Sequence, residues 1–578
     1  MKKWFWGLLT GVFLTMGLLA AFSFLGWYLE SRPPELQPNS LLVLKLEGEI
    51  PEQIPPDIAG QLLGGKGPAT FVSLLENIEK AAADSRIKGI LLEPSNLQVG
   101  WAKLQQLRRS LEEFRSKGKR LVAWVDTAGS KEYYLASAAD RVFLSPVGVL
   151  DLKGMRAEVM FFKDTLAKLG VQADMERIGE YKNLADQFTD NSMSDAFREA
   201  TTSMLDSIYG DFLMGIASAR RHSMEDMRKL IEESGPFEAD RALPARLVDQ
   251  LLYEDEVSDQ MKKELGNQEV HEIPLDRYRR VPRSAVGLRG GERIALVYAV
   301  GDIVSGEDRV DPLSGKTMGE ATMKEVLEEV GEDDSIKGVL VRIDSGGGDA
   351  FASENIWRNL LELRKKKQMV ISMSDAAASG GYLIAMTGDP VVAESATLTG
   401  SIGIIYGKLN LKGFYDKIGV NKEIISRGKF ATLDSDYGPY TPEQRQRVQA
   451  LMEDFYRKFL AKVAAARKMT PEAVDQVARG RVWTGEQAHR QGLVDELGGL
   501  ERALELLKEK AGLRPDARVE IVEYPKRKSL LELIFGRIQR RDAALPAGLA
   551  RWLFEWQLLE RLSQRPLWTR MPYVFEFR

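Results

Sequence analysis

Asp375-Ala376-Ala377-Ala378-Ser379-Gly380-Gly381-Tyr382 is the stretch of this chain best suited to nucleophilic chemistry. A β-rich run, Met369–Met373, precedes it and an apolar helical run, Tyr382–Met386, follows. A serine at such a junction lies where free backbone N–H groups and the helix dipole favour developing negative charge. The same placement suits a serine that merely caps the helix. It is not the G-x-S-x-G elbow of α/β-hydrolases. A second stretch, Ser345-Gly346-Gly347-Gly348, ends another β-rich run and precedes a helix. Its amides could cradle a phosphate or an oxyanion, or the glycines could form a plain tight turn. A third, Leu398-Thr399-Gly400-Ser401-Ile402-Gly403, sets small hydroxyl residues between apolar ones. It reads equally as a buried polar contact or a turn.

A serine hydroxyl needs a base. The chain has no cysteine and three histidines, His222, His271 and His489, far apart and without metal-ligand spacing. Thiolate nucleophiles, disulfides and cysteine-based metal sites are excluded, and no metal or cofactor is expected. Lysine is the remaining choice, and it serves only when neutral. It must therefore be desolvated, at about 1.36 kcal/mol per unit of lowered pKa. Lys182, in Gly179-Glu180-Tyr181-Lys182-Asn183, is the candidate.

The elements that must position these groups come from a duplication. Ile87-Lys88-Gly89-Ile90-Leu91 returns as Ile336-Lys337-Gly338-Val339-Leu340, an offset of 249. The same offset relates Asp126 to Asp375, Tyr133 to Tyr382 and Asp140 to Asp389. Leu247-Val248-Asp249 matches Leu493-Val494-Asp495. Residues 40–285 and 291–522 thus read as two repeats, joined by the Pro- and Gly-rich stretch 282–291. Within the second, Ile294–Val300 and Gly338–Ile343 are strands and Thr322–Val330 and Ala352–Lys365 helices. Alternating βα units argue for an α/β fold.

The repeats are unequal in a complementary way. The first has Lys182, but Ser95-Asn96-Leu97 where the second has its glycines, and Ser130-Lys131-Glu132 where the second has Ser379-Gly380-Gly381. The second has Ala431 at the position of Lys182. One complete site would need Lys182 from one repeat and Ser379 from the other, within a chain or between chains. Ser130 then reads as a structural relic.

Residues Trp4 to Tyr28 contain no charge, enough to span a bilayer core, with Trp4, Trp6, Trp27 and Tyr28 at the two ends. Residues 1–30 read as an uncleaved single-pass anchor, with Lys2 and Lys3 keeping the N-terminus in the cytoplasm. The tail, 526–578, carries eleven Lys or Arg against five Asp or Glu together with apolar runs. It reads as a basic amphipathic segment, either packed as a terminal helix or touching an anionic membrane surface. Net charge is −4, with 44% apolar and 28% charged residues, so nothing suggests nucleic-acid binding by the bulk of the chain.

Ala378-Ser379-Gly380-Gly381-Tyr382, Gly179-Glu180-Tyr181-Lys182 and Leu398–Gly403 together resemble the three signatures of the signal peptide peptidase A family, in its long duplicated form. The similarity covers nearly residues 1–520. The family's glycine loop usually reads Ser-Pro-Gly-Gly; here a glycine replaces the proline. The resemblance implies two tandem crotonase-like (Clp-protease-like) domains and a dome-shaped homotetramer on the outer face of the cytoplasmic membrane. It implies Ser379 as nucleophile and Lys182 as base, with Ser401 orienting the lysine and amides of Gly380 and of Gly347 or Gly348 as the oxyanion hole. The implied substrates are remnant signal peptides. A crotonase-type acyl-transfer enzyme and a non-catalytic membrane scaffold are the alternatives.

Overall fold

The computed structural model describes residues 34–54, 69–265, 269–288, 290–311, 315–526 and 567–571. The expected anchor, 1–30, and most of the tail lie outside the described residues. Among the described residues, no helix is long and apolar enough to cross a membrane.

The architecture is α/β. In the first half, β1 (Ser40–Gly48), β2 (Ile87–Leu97), β3 (Arg120–Ala128) and β4 (Arg141–Leu150) run parallel in the order β4-β3-β2-β1, with His271–Pro274 beyond β1. Runs such as Ile90-Leu91-Leu92 are buried on both faces, as helix-covered parallel strands require. The second half repeats this plan with β6 (Glu292–Val300), β7 (Ile336–Ser345) and β8 (Gln368–Ala378), in the order β8-β7-β6 with Val519–Tyr524 beyond β6.

The repeat is visible atom by atom. Tyr133 donates to the Leu247 carbonyl at 2.6 Å, and Tyr382 to the Leu493 carbonyl at 2.8 Å. Arg220 pairs with Asp249 as Arg467 pairs with Asp495. Asp249 accepts from the Val142 amide at 2.7 Å, and Asp495 from the Val391 amide at 2.8 Å.

A third sheet joins the halves. Its β5 (Gln172–Ile178), from the first repeat, pairs antiparallel with β9 (Ile404–Asn410), from the second, in register from Ile178↔Ile404 to Gln172↔Asn410. Its next strand is β10 (Leu567–Arg570), the described part of the tail, which is thus a strand and not a helix. The cores also interdigitate. Ala378, Ala396 and Leu398 of the second repeat are buried in the first repeat's apolar cluster, and Val72 of the first lies among Ile294 and Leu296 of the second.

Two charged clusters lie between the halves, the first buried and the second partly so. Arg342 on β7 donates to Glu52 at 2.8 Å and to Ser372 and Ser374, with both charged side chains at most 1% exposed. Lys103 reaches Asp344 at 2.9 Å and Asp375 at 3.3 Å. Burial works against the Lys103 charge, but the carboxylates of Asp344, Asp375 and Glu52 outweigh it and hold its pKa above the ordinary value. The helix carrying Lys103 starts so close to Asp375 that a Cβ on Gly100 would lie 2.1 Å from its carboxyl carbon.

Candidate active site

Ser379 follows β8 directly and precedes the short helix Gly380–Ala385. Its φ is 56° and ψ −113°, outside the regions a non-glycine residue ordinarily occupies. Such a conformation costs on the order of 1–3 kcal/mol and persists only where its surroundings impose it. Here its amide is held by the Gly400 carbonyl at 2.7 Å. The hydroxyl makes no helix-capping hydrogen bond. Instead it meets Lys182 Nζ at 2.6 Å. That contact stands in place of the helix cap that the sequence also allowed.

Lys182 also lies 2.8 Å from the Ser401 carbonyl and 2.9 Å from the Ser401 hydroxyl. Lys182, Ser379 and Ser401 are all 0% exposed. A neutral amine has two N–H donors and one lone pair. In the neutral form, the Ser401 carbonyl and hydroxyl can take the two N–H groups, which leaves the lone pair for Ser379. Burial alone holds the lysine's pKa well below its ordinary 10.5. So a hydroxyl and a buried amine whose charge is disfavoured, one from each half, stand at hydrogen-bond distance.

The pH dependence follows with a definite sign. With Lys182 as the base, which accepts a proton only when deprotonated, kcat/KM should rise as pH rises through the depressed pKa and then level off. An acid limb losing tenfold per pH unit, with its midpoint well below 10.5, is the expected profile. A plateau reached only near the pH of an exposed lysine would contradict it.

Segment 479–481 is a positioning element that no sequence signal marked. The Arg479 carbonyl accepts from the Tyr181 amide at 2.9 Å, and the Arg481 carbonyl from the Ser401 amide at 2.6 Å. Between them Gly480, at φ +80°, passes so near Lys182 that a Cβ there would stand 2.5 Å from the lysine's own.

The glycine loop sits beside the serine because Ser345 on β7 pairs with Ala377 on β8. Its amides are engaged. Gly347 N–H donates to the Ser345 hydroxyl at 3.1 Å, and Gly348 pairs with Ile303 on one side and Thr569 on the other. Gly380 opens the helix after Ser379. In the third stretch, Thr399 donates to the buried Ala377 carbonyl at 2.7 Å and Ser401 holds Lys182, so it makes buried polar contacts.

The equivalent place in the first repeat is closed. Glu132, two residues after Ser130, accepts from the Leu97 amide at 2.6 Å. A carboxylate thus lies against the loop that corresponds to the glycine loop of the second repeat. Among the described residues, no group of His, Asp and Glu could hold a metal ion.

The chain matches Peptidase family S49 over residues 113–268 and 362–514, one stretch in each half. It is 36% identical over 537 residues to a chloroplastic serine protease, SPPA, of Arabidopsis thaliana, across 91% of this chain and 77% of that protein. Protease 4 of Salmonella typhi is 32% identical over 459 residues, 77% of this chain and 72% of that protein. Protease 4 of Haemophilus influenzae is 29% identical over 457 residues, 77% and 73%.

Proposed function

Since this chain belongs to peptidase family S49 and is a serine protease, we propose that Ser379 and Lys182 are its catalytic pair and that it degrades remnant signal peptides in the cytoplasmic membrane. The buried 2.6 Å contact between the two side chains carries this reading. Family membership sets aside the acyl-transfer and scaffold alternatives.

Neutral Lys182 takes the proton of the Ser379 hydroxyl as Oγ attacks a peptide carbonyl. The Gly380 amide receives the developing oxyanion, joined by a glycine-loop amide; Gly347 can serve only by releasing the Ser345 hydroxyl. One such donor is worth about 2.7–4 kcal/mol. The Lys182 ammonium returns its proton to the leaving amine. Water, activated by the same lysine, then hydrolyses the acyl-enzyme. Ser401 keeps the amine aimed.

The uncharged span between Trp4 and Tyr28 favours a membrane enzyme, with Lys2 and Lys3 on the cytoplasmic side and the catalytic part on the outer face. Each half is crotonase-like, and the working particle is a homotetramer. A peptide already in or at the bilayer suits an anchored enzyme, because anchoring raises its effective concentration there.

The test uses the full chain in phospholipid vesicles with an inserted 20-residue apolar peptide, beside an unanchored soluble polypeptide. Fragments of the inserted peptide should accumulate, and none with Ser379→Ala. An intact inserted peptide beside a digested soluble chain would refute the substrate assignment and leave the protease standing.

A further inference from the structure

The side chain of Arg481 is largely enclosed beside the site, yet no step of the hydrolysis uses it. Its guanidinium carbon lies 4.1 Å from the centre of the Trp483 ring and 4.9 Å from that of Tyr181. Its two terminal nitrogens donate to the Glu199 carboxylate at 2.6 and 2.8 Å. Tyr181 and Glu199 belong to the first half, Tyr181 directly before Lys182 and Glu199 on the long helix Asp195–Arg220. One side chain of the second half thus grips the first at two points, and one of them adjoins the base.

The same segment also holds the other side of the lysine pocket. The Arg481 carbonyl accepts from the Ser401 amide, and the Ile402 carbonyl accepts from the Gly480 amide at 2.7 Å. Trp483 lies against Gly400, where a Cβ would stand 2.9 Å from its ring, and its indole N–H is fixed on the Val477 carbonyl at 2.8 Å. A displacement of residue 481 would therefore shift the Lys182 segment and the Ser401 segment relative to each other.

A guanidinium suits this place. Its rigid fork matches a carboxylate at two points and its flat faces stack on rings, whereas an ammonium is a point charge on a flexible stem. Glu199 is 52% exposed, so the ion pair adds little stability. What the fork supplies is orientation. The neighbouring Arg479 is engaged by Asp475 and Glu180, which leaves Glu199 to Arg481.

We propose that Arg481 is a positioning residue for the Ser379–Lys182 pair: its guanidinium, forked on Glu199 and laid between the Tyr181 and Trp483 rings, fixes the lysine segment of the first half against the Ser401 segment of the second. This rests on the assignment of Ser379 and Lys182 as the catalytic pair. Arg481 acts through Tyr181 and Ser401 rather than on the reacting atoms. It therefore governs turnover and not substrate affinity.

The test is steady-state hydrolysis of a soluble peptide by the full chain across a pH series. Arg481→Met should lower kcat at least tenfold, towards the roughly 10²-fold that a small misplacement can cost, with KM little changed. Its acid limb should move to higher pH, because a looser pocket lets water reach the Lys182 amine. Arg481→Lys keeps the charge without the fork or the flat faces, so it should not restore kcat. Glu199→Ala, at a half-exposed position the fold tolerates, should lower kcat about threefold with the same direction of shift, the scale of a surface ion pair. Arg481→Met combined with Tyr181→Leu should be no worse than the poorer single variant, since both break one contact. Arg220→Met, which breaks the distant pair with Asp249, should leave the acid limb where it was. Unchanged kcat in Arg481→Met and Glu199→Ala, a loss with an unmoved acid limb, additive losses in the double variant, or an equal shift in Arg220→Met would each overturn the proposal and leave the catalytic pair standing. Turnover undiminished by Ser379→Ala would remove the pair itself, and this inference with it.

Discussion

Lys182→Met should cut peptide hydrolysis on the order of 10⁴-fold while the fold persists. The estimate takes the upper end of what a positioned general base contributes. Methionine matches the lysine stem closely, so the pocket stays filled, but nothing remains to accept the Ser379 proton. Lys182→Arg should not rescue activity, because a guanidinium stays charged and cannot act as a base. Ser379→Ala should cost at least as much. The double variant should be no worse than the poorer single one, since groups that act as a unit are not additive. Steady-state kinetics on a soluble peptide, with circular dichroism to verify the fold, decides the matter. Substantial turnover by Lys182→Met would mean that another base serves the serine.

The second large effect concerns stability. Arg342→Met should destabilise the protein by about 3–5 kcal/mol, because it strands the buried Glu52 carboxylate without its partner. Glu52 lies in the first half and Arg342 in the second, so their pairing also locks the halves together. Burial opposes ionisation of Glu52, but Arg342 and then Lys103 outweigh it and hold its pKa below the ordinary value. A carboxyl with a lowered folded-state pKa adds stability above its unfolded value, and that stability is lost as pH falls through the folded one. The Arg342→Met deficit should therefore shrink in acid. Glu52→Leu combined with Arg342→Met should recover much of the loss, as apolar replacements of buried ion pairs often do. Urea unfolding at neutral and acid pH measures all three. A single variant as stable as the unaltered chain would show that the pair carries no such weight.

Ser379 and Lys182 could be singled out as candidates because the repeats differ, and Ser401 through the family resemblance. A serine with glycines in one copy and a lysine in the other leave one workable combination, and absent cysteine and scarce histidine narrow it further. The contact itself was not legible. It depends on β5 pairing with β9, and a strand's partner is not written in its own period-two pattern. Glu52, Lys103 and Arg342 were missed for a related reason. Charged residues read as solvated, and only the isolation of Arg342 inside Val339-Leu-Val-Arg-Ile hinted that its charge was paired indoors. The strand role of Leu567–Arg570 was hidden by its length, since four residues are too few to show alternation. The hold of 479–481 on Tyr181 and Ser401, the neighbours of the Lys182 amine, runs through carbonyl oxygens, which every residue possesses.

The ribbon formed by β5 and β9 ends within a few residues of both Lys182 and Ser401. Prising the halves apart along that seam separates Lys182 from Ser379 before either half loses its own parallel sheet. Warming or mild denaturant should thus silence the enzyme while its spectroscopic signature is still native. The working lifetime of this protease is set where its halves meet, and two healthy halves do not make a live catalyst.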